Sequence, residues 1–502
     1  MKNKIRNIIC TLFAMTAIIA CSDDSFSVSP ENRLTFESDT LSLDTIFSTI
    51  PSPSKQLKAY NFTGKGLRIA NVRLASGNQT GFRVNVNGTY LSPEVGYQVS
   101  DMALRKGDSL RIFVEMTSRT QKAYEPKRVE DNLVFTLESG VTQSVNLNAW
   151  SWDAYVLRNL VINQDTTIAN TNGMPVVIYD TIRVNENATL TIAPATTLYF
   201  HGGAGIDVRG TLYAKGAQDN EITMRCDRLD RMVSNLMYDN NPGQWGGIRL
   251  RPESYDNVFE YIDIHSGTTG ILCDSATDNT RQKASLSNVT IHNMKQNGIY
   301  AVNSKIDIHN TQISNCQDTC AYFLGGNIDI NGSTIVQYYP FDANRGPALA
   351  MANTTVADTT IVYPLSIRVK NSMVKGYADD VILWSYGGRN TTEPLDVRFE
   401  NSLLRTVMPT DKDSVFFANA DNILENSTDT LTRPDTCFVL FDTDFFFYDF
   451  TPKSWNPTTA ESPQNPAIGA ANKETSLPVD RRGAERDAEH PTIGAFEPKQ
   501  EK

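Results

Sequence analysis

Two histidines raise the question of chemistry first. His265 and His292 hold the same place in a six-residue unit that recurs along the second half of the chain, directly after its last apolar residue. Read down that place, successive copies offer His265, His292, Ser314, Val336, Lys375 and Arg405. If neighbouring copies stack, two imidazoles come side by side, and such a pair can bind a metal or relay protons. The plainer alternative is two imidazoles on an outer face with no third ligand in register, since a catalytic metal usually takes three protein ligands. No metal and no cofactor is therefore assigned. Asp379 and Asp380 form an adjacent acidic pair, placed by register in the turn before Ile382. Turns favour Asp for local hydrogen bonding, which is the competing reading. His265, His292, Asp379 and Asp380 thus stand as alternative catalytic candidates, and no residue is assigned to catalysis outright. Tyr338, Tyr339, Tyr386 and Arg389 fall on insertions or turns, where binding residues gather, and are candidate glycan contacts. The run from Phe438 to Trp455 is crowded with aromatic rings, which either stack on sugars at a groove or pack beneath the last repeats. Asp227-Arg228-Leu229-Asp230-Arg231 lies in a long loop from Arg225 to Asn241 and reads as a salt-linked flap.

The elements that position these residues follow from a repeat. Leu286-Ser287-Asn288-Val289-Thr290-Ile291 is one copy of apolar–x–Asn–x–x–apolar, and Ile308-His309-Asn310-Thr311-Gln312-Ile313 is the next, 22 residues on. Ile330 to Ile335 follows after another 22, with Val369 to Val374 and Phe399 to Leu404 at wider spacing and Phe259 to Ile264 before them. A second strand opens at Ile299, Ala321, Leu349 and Ile382, and a third at Ile306, Ile328, Leu365 and Leu395. Three short strands per turn is the geometry of a parallel β-helix, each coil pairing to the next at about 4.8 Å. Ala301, Phe323, Met351 and Trp384 should stack in its interior. The recurrent Asn fits a bend in left-handed geometry, and Asn288 and Asn310 could form a ladder. An apolar spacing of two excludes helical repeats. Ahead of the repeat, residues 34–153 show alternating runs such as Phe82-Arg83-Val84-Asn85-Val86 and Leu110-Arg111-Ile112-Phe113-Val114, bounded by Gly and Asn turns, which predicts a β-sandwich.

The start of the chain reads as an address. Lys2, Lys4 and Arg6 precede an apolar run from Ile8 to Ala20, too short to span a bilayer. Ile18-Ile19-Ala20-Cys21 resembles the lipobox of bacterial lipoproteins, which implies cleavage before Cys21 and a lipid anchor on it. Ser22-Asp23-Asp24 resembles the acidic signal that sends lipoproteins to the outer face of the outer membrane. Residues 1–20 are then a signal peptide and 21–33 a flexible tether. The formal net charge of −11 argues against nucleic acid and against polyanionic glycans as partners, unless a basic groove built from Lys375, Arg389 and Arg405 overrides it. Of seven cysteines, five lie beyond Cys21, and none forms a CxxC motif. Cys316 and Cys320 either pair or are two small buried side chains.

Tyr60-Asn61-Phe62-Thr63-Gly64 through Ile69, with Lys106-Gly107-Asp108-Ser109-Leu110, resembles immunoglobulin-like domains of the abnormal-spindle/Hydin type. Leu190 to Met224, Gln244-Trp245-Gly246-Gly247-Ile248 and Asn297-Gly298-Ile299 resemble right-handed parallel β-helix proteins of the pectate-lyase-like superfamily. The tail is similar to lipoproteins of that kind at Asn465-Pro466-Ala467-Ile468-Gly469, Asp480-Arg481-Arg482-Gly483 and Pro491-Thr492-Ile493-Gly494-Ala495-Phe496-Glu497, and reads as a closing piece. The expected fold is all-β: an N-terminal immunoglobulin-like β-sandwich, a right-handed parallel β-helix over 154–460, and a C-terminal cap and tail over 461–502. That superfamily hosts lyases, hydrolases, adhesins and scaffolds, so fold alone does not give activity. Asp379-Asp380 resembles the aspartates of pectin hydrolases, but the wider pattern is missing: no Asn-Thr-Asp occurs, and neither His-Gly nor Arg-x-Lys follows the pair. The expectation is a surface lipoprotein that binds a glycan or envelope protein without turning it over, with a polysaccharide lyase or glycoside hydrolase as the alternative.

Overall fold

A computed structural model of the chain describes residues 25–170, 172–355, 361–385, 395–407, 421–425, 433–454 and 465–498. Two compact units divide between Asp153 and Ala154. The first is a β-sandwich of two sheets. One sheet joins Gly66–Leu74, Lys127–Leu137, Thr142–Trp152 and Thr40–Phe47, with Gln98–Leu104 and Phe26–Ser27 beside Gly66–Leu74. The other joins Thr35–Phe36, Lys55–Tyr60, Ser109–Met116, Phe82–Val86 and Thr89–Tyr90. Alternation decides which side chains meet between them: Ile69, Val84, Ile112 and Val114 are fully buried, while Arg68 and Arg111 are exposed.

The second unit is a parallel β-helix with three faces. The first face runs from Thr166–Ile168 to Leu395–Glu400, and the second from Tyr155–Leu157 to Ile423–Glu425. Among the described residues they form one curled sheet of 18 strands, because long strands such as Asn257–His265 and Gln282–Met294 continue from one face into the other. The third face is a separate sheet, with nine strands among the described residues, from Val161–Ile162 to Ile382–Ser385. Like positions stack. Phe259, Leu286, Ile308, Ile330, Val369 and Phe399 are successive partners on the first face. Ile264, Ile291, Ile313, Ile335, Val374 and Leu404 are successive partners on the second. All are almost wholly buried in one continuous core. Ala301, Phe323, Met351 and Trp384 stack on the third face as the repeat predicts.

The corner between the first two faces needs one residue per coil in left-handed geometry. Asn288, Asn310, Asn371 and Asn401 supply it with φ between 46° and 59°, and Tyr261 and Gly332 fill the same place in two other coils. The corner asparagines do not ladder from Asn288 to Asn310. Their amides reach the C-terminal segment instead: Asn288 Nδ2 donates to the Asp480 and Arg481 carbonyls at 2.8 and 3.0 Å and Asn310 to Val479 at 2.8 Å, while Asn331, next to the corner residue Gly332, donates to Thr475 at 2.9 Å. Arg481 also clamps Glu221 through two contacts of 2.6 and 2.9 Å. Residues 465–498 therefore close the flank of the coils, running along the asparagine corner.

Candidate functional site

The column of His265 and His292 lies on the outer side of the second face. Beyond its bend, strand Asn257–His265 alternates, so Ile262 and Ile264 point inward and Asp263 and His265 share the outer side. Strand pairing sets His292 beside His265, and the rings stack with centroids 4.8 Å apart. Asp263 Oδ1 is 2.5 Å from His265 Nδ1 and 3.4 Å from His292 Nε2. A fourth group arrives on the loop Arg225 to Asn241, where Asp239 Oδ1 lies 3.0 Å from His265 Nε2 and 2.9 Å from Arg225 Nε. The backbone is pinned as well, since the His265 carbonyl accepts from Trp245 Nε1 at 2.8 Å and Ser266 Oγ at 2.7 Å.

Electrostatics here is a contest between burial and pairing. Burial alone pulls the His265 imidazolium toward its neutral form, but Asp239 and Asp263 outweigh it and hold the pKa up at about 10. Burial pushes the Asp263 carboxyl up, and His265 and His292 more than reverse this, leaving it well below the usual range. Asp239 is lowered in the same way, with His265 and Arg225 opposing burial. Burial and the nearby Asp239 push the Cys226 thiol up to about 12, so it is no nucleophile at neutral pH.

In front of Asp263 and His292 lies a cavity of about 230 Å³. The coil supplies Thr290, Gln312 and Ser314, with Asn293 and Asn315 in left-handed conformation where the strands turn. The opposite wall is a hairpin of Phe438–Asp442 and Phe447–Pro452, which presents Phe446, Phe447 and Tyr448. Asn293 Oδ1, Asn315 Oδ1 and the Tyr448 hydroxyl are buried without a hydrogen-bond partner. The two asparagines are only 3% and 1% exposed. Leaving one such atom unsatisfied costs about 1–3 kcal/mol, a cost that a water or a ligand reaching it would relieve.

The other sequence candidates fall elsewhere. Tyr338 and Tyr339 are 1% and 3% exposed, which corrects their placement as surface glycan contacts. Tyr338 sits among Tyr377, Phe438, Phe441 and Phe450, because the hairpin covers the strand that precedes it. Asp380 Oδ1 accepts from the Ile382 amide at 3.2 Å and Thr406 Oγ1 at 2.9 Å, a turn's own bonding. Asp379 pairs with Arg405 at 3.3 Å. Lys375 is fully buried against Glu425 at 3.1 Å, and Arg405 shares that carboxylate at 3.3 Å, so neither is available for the basic groove anticipated from the sequence. Cys316 and Cys320 are both buried free thiols. Arg228 and Asp230 do form a salt-linked pair at 2.7 Å. Tyr386, Arg389, Cys21 and Trp455 lie outside the described residues. Two partners escaped the sequence reading. Asp263 was recoverable, since two residues before His265 on a strand means the same side. Asp239 carried no such signal, because only the folded path of its loop brings it in.

No protein-family model matches the chain, and no curated protein matches it. Solved structures match it only in part. They include the VesB protease of Vibrio cholerae, at 14% identity over 24% of this chain and 32% of that one, with a TM-score of 0.17. A PapD-like domain of human CEP192 matches at 10% identity over 25% of this chain and 89% of that one, with a TM-score of 0.16. A family 123 glycoside hydrolase from Clostridium perfringens matches at 7% identity over 27% of this chain and 30% of that one, with a TM-score of 0.18. The chain spans under a third of the protease and of the hydrolase. At these scores none carries an argument about function.

Proposed function

We propose that the protein is a cell-envelope lipoprotein that binds a neutral glycan in the cavity beneath the Phe438–Pro452 hairpin, without turning it over. The observation that carries this reading is one small space lined both by hydrogen-bonding side chains, among them Asn293, Asn315, Gln312 and Ser314, and by the three phenylalanines Phe446, Phe447 and Phe450. A sugar ring offers the complement, hydroxyls for the polar atoms and C–H faces for the rings. The volume of about 230 Å³ is below the roughly 300–1,000 Å³ of pockets for drug-sized ligands, so it fits one or two sugar units. Neutral glycans suit it better than pectin-like polyanions, because the chain is acidic and Lys375 and Arg405 are engaged internally.

The same reading assigns residues 1–20 to a lipoprotein signal, Cys21 to lipid attachment and the mature chain to the outer membrane surface. It places the coils with the pectate-lyase-like superfamily and the sandwich with the abnormal-spindle/Hydin type. Cys21→Ser should abolish detergent-phase partitioning in the native host, and retained partitioning would remove the lipoprotein assignment.

An enzyme on the same fold is the second reading, favoured by the imidazole and carboxylate cluster that borders the cavity. Against it, Asp263 is the only carboxylate among the described lining residues, whereas glycoside hydrolysis usually takes two flanking the bond. A screen against neutral and acidic polysaccharides separates the readings. Binding without product supports a binding protein. Reducing ends or unsaturated-sugar absorbance, lost in His292→Ala, would establish the enzyme instead.

A further inference from the structure

We infer that Asp263, His265 and His292 form a three-ligand site for a divalent transition metal of the zinc type, with its fourth position open to the cavity. Zinc accepts imidazole nitrogen and carboxylate oxygen, and sites that keep one position open use three protein ligands. The three donor atoms here lie within 4.8 Å of one another. All three residues sit on adjoining strands of the second face, held by the pairing of Asn257–His265 with Gln282–Met294. Placement on paired strands makes the set rigid.

The surroundings match what a metal site requires beyond its ligands. A ligating histidine usually turns its other ring nitrogen to a carboxylate, which fixes the tautomer and aims the ring. Asp239 stands 3.0 Å from His265 Nε2 and is held in turn by Arg225, leaving Nδ1 for the ion. On binding, the ion takes the place of the proton on His265 Nδ1, which passes to solvent, while the Nε2 proton stays directed at Asp239. The independent sign of a ligand is on the far side. Asn293 and Asn315, at 3% and 1% exposed, line the cavity together with His292 and Asp263, and the side-chain oxygen of each is without a hydrogen-bond partner. The site does not depend on a glycan, and its test uses none.

The test is titration of the full chain, expressed without a metal-binding tag and stripped with chelator, with Zn²⁺ by calorimetry and with Co²⁺ by visible absorption. One ion per chain is expected, with Co²⁺ bands of the intense four- or five-coordinate kind. Asp239→Asn should weaken binding about 10–100-fold, and His292→Ala and Asp263→Asn by more. His309→Ala, whose ring pairs with Asp329 on the first face at 3.1 Å, should change nothing. Circular dichroism of each variant verifies the fold. Absence of stoichiometric binding by the folded wild type, or equal affinity in wild type and folded His292→Ala, would overturn the site.

Discussion

One column of the β-helix has two different ends. His265, His292, Ser314, Val336 and Lys375 are successive partners on the outer side of the second face, and the column goes on through Arg405 to Glu425. At the near end His292, stacked on His265, borders a cavity and is 24% exposed, with the cover standing off. At the far end, Val336 and Lys375 are sealed beneath Cys437, Phe438 and the tail residues Ile493 and Ala495. The backbone position is the same throughout. What differs is the cover, and the side chains answer to it: an imidazole beside open space where it stands off, and a fully buried ion pair where it closes. A register position in a coil therefore does not set a residue's role until the outer layer is known.

The largest effect should come from the interior, which both ends share. Ile313→Asp places a charge in the core of the coil, and a loss above about 4–5 kcal/mol, or failure to fold, is expected. Chemical unfolding measures it, and Gln312→Asp on the outer side should be mild. Equal losses would break the register. Next is the sealed end. Glu425→Ala removes the carboxylate that Lys375 and Arg405 share and should cost about 3–5 kcal/mol, whereas Lys375→Met with Glu425→Leu should recover most of it. At the open end, His292→Ala should shift the unfolding midpoint far less. A cost there as large as that of Glu425→Ala would erase the contrast.

The corner offers an intermediate case. Asn310→Ala loses both a left-handed residue and the bonds to Val479 and Arg486, for a cost of about 1–3 kcal/mol. Asn310→Gly keeps the backbone free and isolates the tail contact, so the difference between the two in thermal unfolding divides the cause. The smallest effect is an exposed counterpart of the buried histidine cluster. His201 Nδ1 lies 2.6 Å from Asp227, and that bond raises its pKa against the opposing pull of burial. A raised pKa in the folded state means stability fully present below the unfolded value of about 6.5 and lost as pH climbs through the folded value. His201→Gln should therefore differ most from wild type at about pH 5–6 and converge with it in alkali. A gap that widens with pH would contradict the pairing.

The coils were legible in the sequence because their period is a property of the chain itself. A spacing of 22 residues and a bend that accepts Asn fixed the interior column of Ala301, Phe323, Met351 and Trp384 and the stacking of His265 on His292. The outer layer was not legible. Tyr338 reads as surface until the hairpin from Phe438 packs on it, and Asp239 reads as loop until that loop crosses the second face. Nor does the sequence announce the path of the tail, since the corner asparagines bind its backbone carbonyls, which any residue could offer.

The central claim is that the open end of the column is built for a ligand, and Tyr448→Phe tests it most directly. The substitution removes a buried hydroxyl that has no partner and nothing else. The measurement is paired: thermal unfolding of the free protein, and calorimetric titration with a neutral oligosaccharide that binds the wild type. A hydroxyl held for a ligand predicts a melting temperature that stays level or rises, with affinity falling about tenfold, the equivalent of 1.4 kcal/mol. A lowered melting temperature with undiminished affinity would mean the hydroxyl serves the fold, and the cavity would lose its claim to be the site.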